Sequence, residues 1–370
     1  VYLNAKEILG SKFNFKTYLN FNRVNKNINS ANTQNTKFNL FQFDLTYLDD
    51  KGFSAGIGRN INNRFLSFGA VDGLHAEKIF EKFFTGAIVG FKPNPFNYNF
   101  SSSLFQAGAY AGIFHDKNKL SNTTIGFVEQ RNSNLTDRRY LFLQHQSNLT
   151  AKLNLFASAE ADLFSLNLAG ISSSNLNLTS LFSSLSYRAT KKLNLVATLD
   201  FRRNLILYQS YSDNLPILIN NNPLKTGLRL RANYQISKNI YTGFGYNQRI
   251  QSDNNNDFYN ISGFLSFSRL LGGRLNLNFN QNQNEFFNYR TYSARYTYLF
   301  IHKKLDISPY FRFNQFGYTK VEGKAINQIY TGLDLHYSIT KKLSIGTLYE
   351  FSKREQSVYN RFNINIIQRF

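Results

Sequence analysis

Apolar and polar residues alternate along many short segments of this chain. In residues 193–202 the odd positions are leucine, alanine and phenylalanine, while most even positions are polar or charged. Residues 228–234, 275–280, 311–314 and 333–338 follow the same pattern. Side chains of a strand point alternately to its two faces, so each segment predicts a β-strand with one apolar and one polar face. The runs are about 9–13 residues long, which suits a strand that crosses a bilayer at a tilt.

A turn motif recurs between these segments. Tyr187–Leu193, Tyr234–Ile240 and Tyr337–Leu343 each join a tyrosine, a polar turn containing lysine and an apolar residue that opens the next segment. Ile301–Leu305 and Leu271–Leu275 are looser copies. The motif predicts short hairpin connections at one end of the strands.

The connections at the opposite ends are predicted to be longer. They are residues 204–223, 250–257, 315–324 and 354–357. Short turns on one side and longer loops on the other are typical of outer-membrane barrels, whose short turns are periplasmic and whose long loops are extracellular.

The region 64–92 has the weakest pattern. Phe65–Val71 and Phe84–Phe91 favour strands, and Asp72-Gly73 between them is a hairpin signal. We therefore expect a turn at Asp72-Gly73.

The chain has no apolar run near the ~20 residues that a membrane helix needs. It is therefore either soluble or a closed barrel, the other structure that can span a bilayer. The apolar rows favour the barrel. We predict an all-β fold, a transmembrane antiparallel up-and-down β-barrel of about 20 strands (roughly 18–22), as one domain over residues 1–370. Because Val1 is not an initiator, we expect a signal peptide or a further domain upstream.

Composition narrows the chemistry. The chain has 37 Phe and 23 Tyr but no Cys, which excludes disulfide scaffolds and thiolate metal sites. The net charge is +21, yet lysine and arginine are spread along the chain without a nucleic-acid-binding motif. We therefore predict no nucleic-acid partner, and a cationic lumen with cationic rims that meet anionic lipid.

The arginines that alternation places on the inferred lumen face are the candidate site. They are Arg202, Arg229, Arg231, Arg249, Arg274, Arg295, Arg312, Arg354 and Arg361. The acids on that face are fewer, namely Asp200, Asp306, Asp334 and Glu350. A barrel this wide is not filled by its own side chains, so it holds water or a plug. A cationic wall favours anionic solutes, and an equal alternative is that the arginines stiffen the wall.

The last strand carries a signature. Phe362, Ile364, Ile366 and Phe370 share one face of residues 358–370. This resembles the C-terminal signature strand of Gram-negative outer-membrane barrels, with Gln368 where that family often has tyrosine. The resemblance implies a place in the bacterial outer membrane and recognition by the barrel assembly machinery through these residues. The Asn-, Lys-, Phe- and Ile-rich composition resembles that of Bacteroidota proteins.

One segment suggests catalysis. His145-Gln146-Ser147-Asn148 resembles the His-x-Ser-Asn segment of outer-membrane phospholipases, which implies His145 as base and Ser147 as nucleophile. Leu149-Thr150 stands where that family has Gly-Arg. We do not predict an enzyme.

No metal or cofactor is predicted. The five histidines are isolated and lack metal-ligand spacing. Residues 253–257 could bind Ca²⁺, but a solvated loop explains them better.

Three functional hypotheses follow. The first is an outer-membrane channel, porin-like, open or gated by a partner. The second is a non-catalytic barrel subunit of a larger secretion or assembly complex. The third is the phospholipase. The expected partners are outer-membrane lipid or lipopolysaccharide, the barrel assembly machinery and proteins of an envelope complex.

Overall fold

The structure is a computed structural model that describes a large part of the chain. The described ranges are residues 2–28, 31–94, 98–166, 171–210, 222–252, 257–300, 304–319 and 325–368, with side chains given outside 22–37. They contain twenty-three β-strands, and the only helical elements among them are 3-10 turns at Ile8–Gly10 and Leu66–Phe68. No helix in these ranges is long and apolar enough to cross a membrane.

The strands, in chain order, are β1 (Tyr2–Ala5), β2 (Phe13–Ile28), β3 (Ala31–Leu48), β4 (Phe53–Ile61), β5 (Ala70–Ile79), β6 (Phe83–Phe91), β7 (Leu104–Phe114), β8 (Asn122–Asn132), β9 (Leu135–Thr150), β10 (Leu153–Asp162), β11 (Ser165–Leu166), β12 (Ser172–Ser173), β13 (Asn177–Arg188), β14 (Leu193–Arg202), β15 (Lys225–Ser237), β16 (Ile240–Gln251), β17 (Phe258–Leu270), β18 (Gly273–Gln283), β19 (Phe287–Phe300), β20 (Leu305–Tyr318), β21 (Ile326–Ser338), β22 (Leu343–Arg354) and β23 (Ser357–Gln368).

The chain divides into two compact units. Unit 1 comprises Val1–Leu149, Asn154–Ser183 and Phe201–Asn222, and unit 2 comprises Thr150–Leu153, Ser184–Asp200 and Pro223–Phe370. Each unit is described separately below. The single domain over 1–370 stays a prediction. The all-β, antiparallel character of the chain is confirmed.

In unit 1, strands β2 to β8 each pair with the next strand along the chain, always antiparallel. Residues directly opposite each other share a face, so these registers define two faces. Leu74, Ile125 and Leu143 lie on one face and are about half exposed. The other face, which carries Phe84 and Tyr110, is buried. We call it the covered face.

The connection between β4 and β5 packs on the covered face. Phe65 and Phe68 are fully buried, and the ring of Phe65 lies 5.3 Å from that of Tyr110. Glycines of β7 and β8 leave the space that these two rings occupy. A Cβ at Gly108 would lie 2.5 Å from the Phe68 ring, and one at Gly126 would lie 2.6 Å from the Phe65 ring. The connection is therefore seated in a depression that the glycines leave in the sheet.

Two expectations for this region are wrong. Phe65–Val71 is not a strand, because its aromatic residues leave the sheet to form the buried cluster. Asp72-Gly73 is not a hairpin, because both residues lie inside β5. At Gly73 a Cβ would lie 2.1 Å from the carbonyl oxygen of Val89. This glycine therefore serves the close approach of β5 and β6 and does not form a turn.

A second segment of unit 1 is held by a buried carboxylate. Asp137 is fully buried and accepts hydrogen bonds from the backbone N–H of Gln209 (2.8 Å), the Ser210 hydroxyl (2.7 Å) and the Gln130 amide (2.8 Å). This fixes the start of the predicted long loop 204–223 against β9. Residues 211–221 of that loop lie outside the described residues.

In unit 2, strands β15 to β23 form a meander in which each strand pairs antiparallel with the next. The strands are 11 to 14 residues long, which is enough to cross a bilayer at a tilt. One face carries exposed apolar side chains, including Leu230, Phe244, Phe311, Leu333 and Tyr349. We call it the apolar face.

Two of the lysine turns share one hydrogen-bond pattern. The Thr190 hydroxyl accepts from the backbone N–H groups of Lys192 (3.1 Å) and Leu193 (3.0 Å). Thr340 accepts in the same way from Lys342 (3.2 Å) and Leu343 (3.0 Å). The threonine hydroxyl therefore closes each of these two turns.

The predicted loop at 354–357 is wrong. Arg354 is opposite Ser357, so Glu355 and Gln356 form a two-residue turn. Glu355 takes a left-handed conformation with φ of 50°. The predicted contrast between short and long connections therefore holds only in part.

Glycine at 126 should be essential for seating the β4–β5 connection. Gly126→Val should destabilise the protein by about 1–3 kcal/mol, because the added atoms overlap the Phe65 ring. The thermal unfolding midpoint in detergent, followed by circular dichroism, measures this. Gly263→Val is the control, since a Cβ there meets only the Gly243 carbonyl at 3.7 Å. Equal midpoints for the two variants would contradict this packing.

Candidate functional site

The registers of unit 2 place eight of the nine predicted arginines on one face. Arg229 lies directly opposite Asn247 on β16, so the two residues share a face. Following the directly opposite residues from each strand to the next identifies the residues of the same face as far as β23. The arginines on it are Arg229, Arg231, Arg249, Arg274, Arg295, Arg312, Arg354 and Arg361. It is the face opposite to the apolar face, and we call it the arginine face. Arg202 belongs to unit 1, at the exposed end of β14.

Two of these arginines are neutralised by acids. Arg295 Nη1 lies 3.2 Å from Asp334, and Arg312 Nη2 lies 3.6 Å from Glu350. Tyr310 joins the two pairs, because its hydroxyl donates to Glu350 (2.6 Å) and its ring lies 4.8 Å from the Arg295 guanidinium. These pairs brace the middle of β19 to β22.

The remaining six arginines of the face make no ion pair within the described ranges. They are Arg229, Arg231, Arg249, Arg274, Arg354 and Arg361. Besides Asp334 and Glu350, the arginine face of strands β15 to β23 carries one more acid, Asp306, among the described residues. Its positive charges therefore outnumber its negative ones. The Nε atom of Arg249 is buried and has no hydrogen-bond partner among the described residues. An array of unpaired guanidinium groups attracts anions.

Unit 1 uses its arginines differently. Arg138, whose side chain is 6% exposed, pairs with Glu160 (2.7 Å) and Asp162 (2.8 Å). Arg59, 4% exposed, is held by Asp72 at 2.6 Å. Sequence reasoning did not find these clusters. The available signal was the presence of acids inside strand segments, but the partners are 13 to 24 residues apart and depend on the register.

Arg64 adds a cation within the β4–β5 connection. It pairs with Glu77 at 3.1 Å and its guanidinium lies 4.6 Å from the centre of the Phe84 ring. Glu77 also accepts from the Tyr110 hydroxyl at 2.8 Å. The β4–β5 connection thus brings both aromatic rings and a paired cation to the covered face of unit 1.

The phospholipase-like segment has a different set of contacts. His145 Nδ1 lies 2.8 Å from the Thr123 hydroxyl, which is also 2.7 Å from His115 Nε2. No hydrogen bond joins His145 to Ser147 in the described structure, although both lie on the same face of β9. The arrangement does not form a nucleophile–base pair.

The other predicted sites are placed as follows. Phe362, Ile364 and Ile366 are all more than 60% exposed on the apolar face of β23, and Phe370 lies outside the described residues. Their role as an assembly signal stays a prediction. Of the candidate Ca²⁺ loop only Asp257 is described. No group of three or more metal-ligating side chains occurs in the described ranges.

Buried and unpaired arginines should respond differently to removal. Arg138→Met should cost about 3–5 kcal/mol, because it leaves the largely buried carboxylates of Glu160 and Asp162 without their ion-pair partner. Arg274→Met is the matched control and should change stability little, because Arg274 is exposed and without an ion pair in the described structure. Chemical denaturation in detergent measures both. A loss in Arg274→Met as large as that in Arg138→Met would contradict the distinction.

Comparisons with known proteins concern the fold alone. No protein-family model and no curated protein sequence matches the chain. The E. coli P pilus tip assembly intermediate PapC–PapD–PapK–PapG is similar with a TM-score of 0.52 at 11% identity, over 96% of this chain and 56% of that chain. This chain therefore spans little more than half the length of the chain it matches.

Two further structures are less similar. The P pilus usher (PapC) translocation pore has a TM-score of 0.45 at 9% identity, over 99% of this chain and 93% of that chain. OccK10 (OpdN) of Pseudomonas aeruginosa has a TM-score of 0.45 at 11% identity, over 96% of this chain and 97% of that chain. These two are too distant to support an argument. The fold that this chain shares with the first structure is that of Gram-negative outer-membrane β-barrels, and the predicted location in the bacterial outer membrane agrees with it.

Proposed function

We propose that this chain forms a transmembrane β-barrel channel of the bacterial outer membrane that favours anionic solutes. The supporting observation is that eight arginines of unit 2 share one face of a nine-strand meander whose other face is apolar. In this proposal the arginine face lines the lumen and the apolar face contacts lipid. The fold shared with outer-membrane barrels agrees with this arrangement.

The energetic cost of the reverse orientation supports this assignment. An arginine on the lipid face of a barrel costs about 2–4 kcal/mol at the bilayer midplane, falling towards zero near the interfaces. Arg231, Arg295 and Arg312 lie well inside their strands, so turning them to lipid would be strongly unfavourable. The apolar side chains on the other face of these strands are stabilised by the same orientation, because contact with acyl chains removes them from water.

Both roles that the sequence left open for the arginines have support. Arg295 and Arg312 are tied to acids and neighbouring rings, which stiffens the wall. Six others have no ion pair in the described structure and supply the excess positive charge. Cationic side chains that encircle a pore favour the passage of anions. The proposed channel therefore uses paired arginines for structure and unpaired ones for selectivity.

Ion selectivity in a planar bilayer tests the channel. The purified protein should conduct and should prefer chloride over potassium, as read from the reversal potential in a KCl gradient. The preference should grow from 1 M to 0.1 M salt, because the Debye length increases from about 3 Å to about 10 Å. Replacing Arg229, Arg231 and Arg249 together by glutamine should bring the permeability ratio towards one.

The control removes the same number of charges elsewhere. Arg290 lies on the apolar face, and Lys341 and Lys342 lie in a turn. Their triple replacement by glutamine should leave the permeability ratio nearly unchanged. A protein that inserts but does not conduct, or an equal loss of selectivity in both triple variants, would refute the proposal.

The second candidate is a non-catalytic subunit of a larger secretion or assembly complex. It is favoured by the likeness in fold to a structure described as a pilus tip assembly intermediate. Native purification from membranes in mild detergent distinguishes the two functions. Stoichiometric partner proteins together with absent conductance would support the subunit, whereas an isolated conducting protein would support the channel.

A further inference from the structure

One side chain on the arginine face does not fit its surroundings. Phe264 on β17 is 39% exposed on a face that otherwise carries mainly polar and charged groups around it. The registers place it opposite Gly243 on one side and Asn278 on the other, with Asn233 opposite Gly243. An apolar ring that stays exposed between two amides calls for a reason.

The neighbouring row supplies polar groups of several kinds. Arg231 is opposite Gly245, which is opposite Ser262, which is opposite Asn280. Residues two apart on a strand share a face, so these four lie beside the row that contains Phe264. The two rows line a cavity of about 400 Å³, within the range of small-molecule sites.

Glycine makes the cavity possible. A Cβ at Gly243 would lie 2.2 Å from the Phe264 ring, and one at Gly245 would lie 2.7 Å from the Ser262 hydroxyl. The ring therefore rests against bare backbone. Rings also rest on glycine elsewhere, as Tyr310 does on Gly332, but Tyr310 is engaged by Glu350 and Phe264 borders open space.

Most of the polar groups are available. Within the described structure, Arg231, Asn233 and Ser262 have no hydrogen bond or ion pair between side chains. The side-chain oxygen of Asn280 accepts a hydrogen bond from the side-chain amide of Asn282, which leaves the side-chain N–H groups of Asn280 free. Asn278 makes one long bond to Ser293, at 3.4 Å. The site therefore offers a cation, several amide and hydroxyl groups and a ring, and contains no acid.

We propose that this cavity is a binding subsite for a hexuronate, a pyranose sugar that bears a carboxylate. Arg231 would bind the carboxylate through paired N–H donors. Asn233, Ser262 and Asn280 match sugar hydroxyls, which both donate and accept. The Phe264 ring matches the apolar C–H face of the pyranose. A simple carboxylate would leave the ring and amides unused, and a neutral sugar would leave Arg231 unused. The subsite rests on the proposed function, because its ligand would arrive through the lumen.

Block of the chloride current by galacturonate tests the subsite. Added to the protein in a planar bilayer at constant KCl, galacturonate should reduce the current in a saturable manner. Glucose and acetate should block at least about tenfold more weakly, because each lacks one of the two recognised groups. Arg231→Gln and Phe264→Leu should each weaken the galacturonate block, Arg231→Gln by about tenfold.

Matched variants separate recognition from general effects. Arg361→Gln removes one charge from the same face on β23 and should lower chloride preference as Arg231→Gln does, while the galacturonate block persists. Phe258→Leu changes another ring of β17 and should retain the block. Gly243→Ala serves as a second probe of the ring position, since its Cβ displaces Phe264, and it should weaken the block.

The outcomes distinguish the two proposals. Absence of any conductance overturns the channel and the subsite together. An anion-preferring current that galacturonate does not block saturably, or blocks no better than glucose and acetate, overturns the subsite alone. Equal loss of block in Phe258→Leu and Phe264→Leu also overturns it, because the Phe264 ring would then have no specific part.

Discussion

Hydrogen bonding between antiparallel neighbours is the constraint on which this structure depends. In hydrocarbon each backbone N–H and C=O needs a partner within the protein, and pairing along whole strands provides it. Once a register is set, every side chain is assigned to a face. In unit 2 the opposite pairs run from β15 to β23, and the irregularities near Ser237 and Leu270 lie at strand ends beside turns. The faces are therefore never exchanged, and arginines distant in sequence share one surface.

The two units use the same alternation for different purposes. In unit 1 the covered face receives the β4–β5 connection, so aromatic rings and buried ion pairs fill it. Arg138 lies on that face and is almost fully buried beside Glu160 and Asp162. Arg59 lies on the other face, is almost fully buried beside Asp72 and likewise needs its acid. In unit 2 most arginines of the face are half-buried or exposed and do not need acids, because water can solvate them. Burial thus decides which arginines are structural and which can meet a solute.

Glycine and aromatic residues form a second recurring device. Gly108, Gly126 and Gly243 each leave space into which a ring from a nearby element packs. In unit 1 the rings come from the folded connection and close the surface. In unit 2 the ring of Phe264 comes from a neighbouring strand and leaves a cavity beside it. The same device therefore produces packing where a third element is present and a recess where none is.

Alternation and turn chemistry are local, and the sequence by itself determined what depends on them. The strands of unit 2, the side on which Arg229 or Arg312 lies, and the threonine–lysine turns could all be read from neighbouring residues. The number of strands, the short turn at Glu355 and the course of residues 65–73 could not. At Asp72-Gly73 a local turn signal was outweighed by pairing of β5 with both neighbours.

Only the tertiary structure decided which charges meet. Arg295 and Asp334 are 39 residues apart and pair because two registers add up across β19, β20 and β21. The seating of Phe65 on Gly126 likewise joins residues far apart in the chain. Such contacts depend on the registers of several strands taken together and on the space left by distant glycines. The alternation of apolar and polar residues along the sequence carries no information about either.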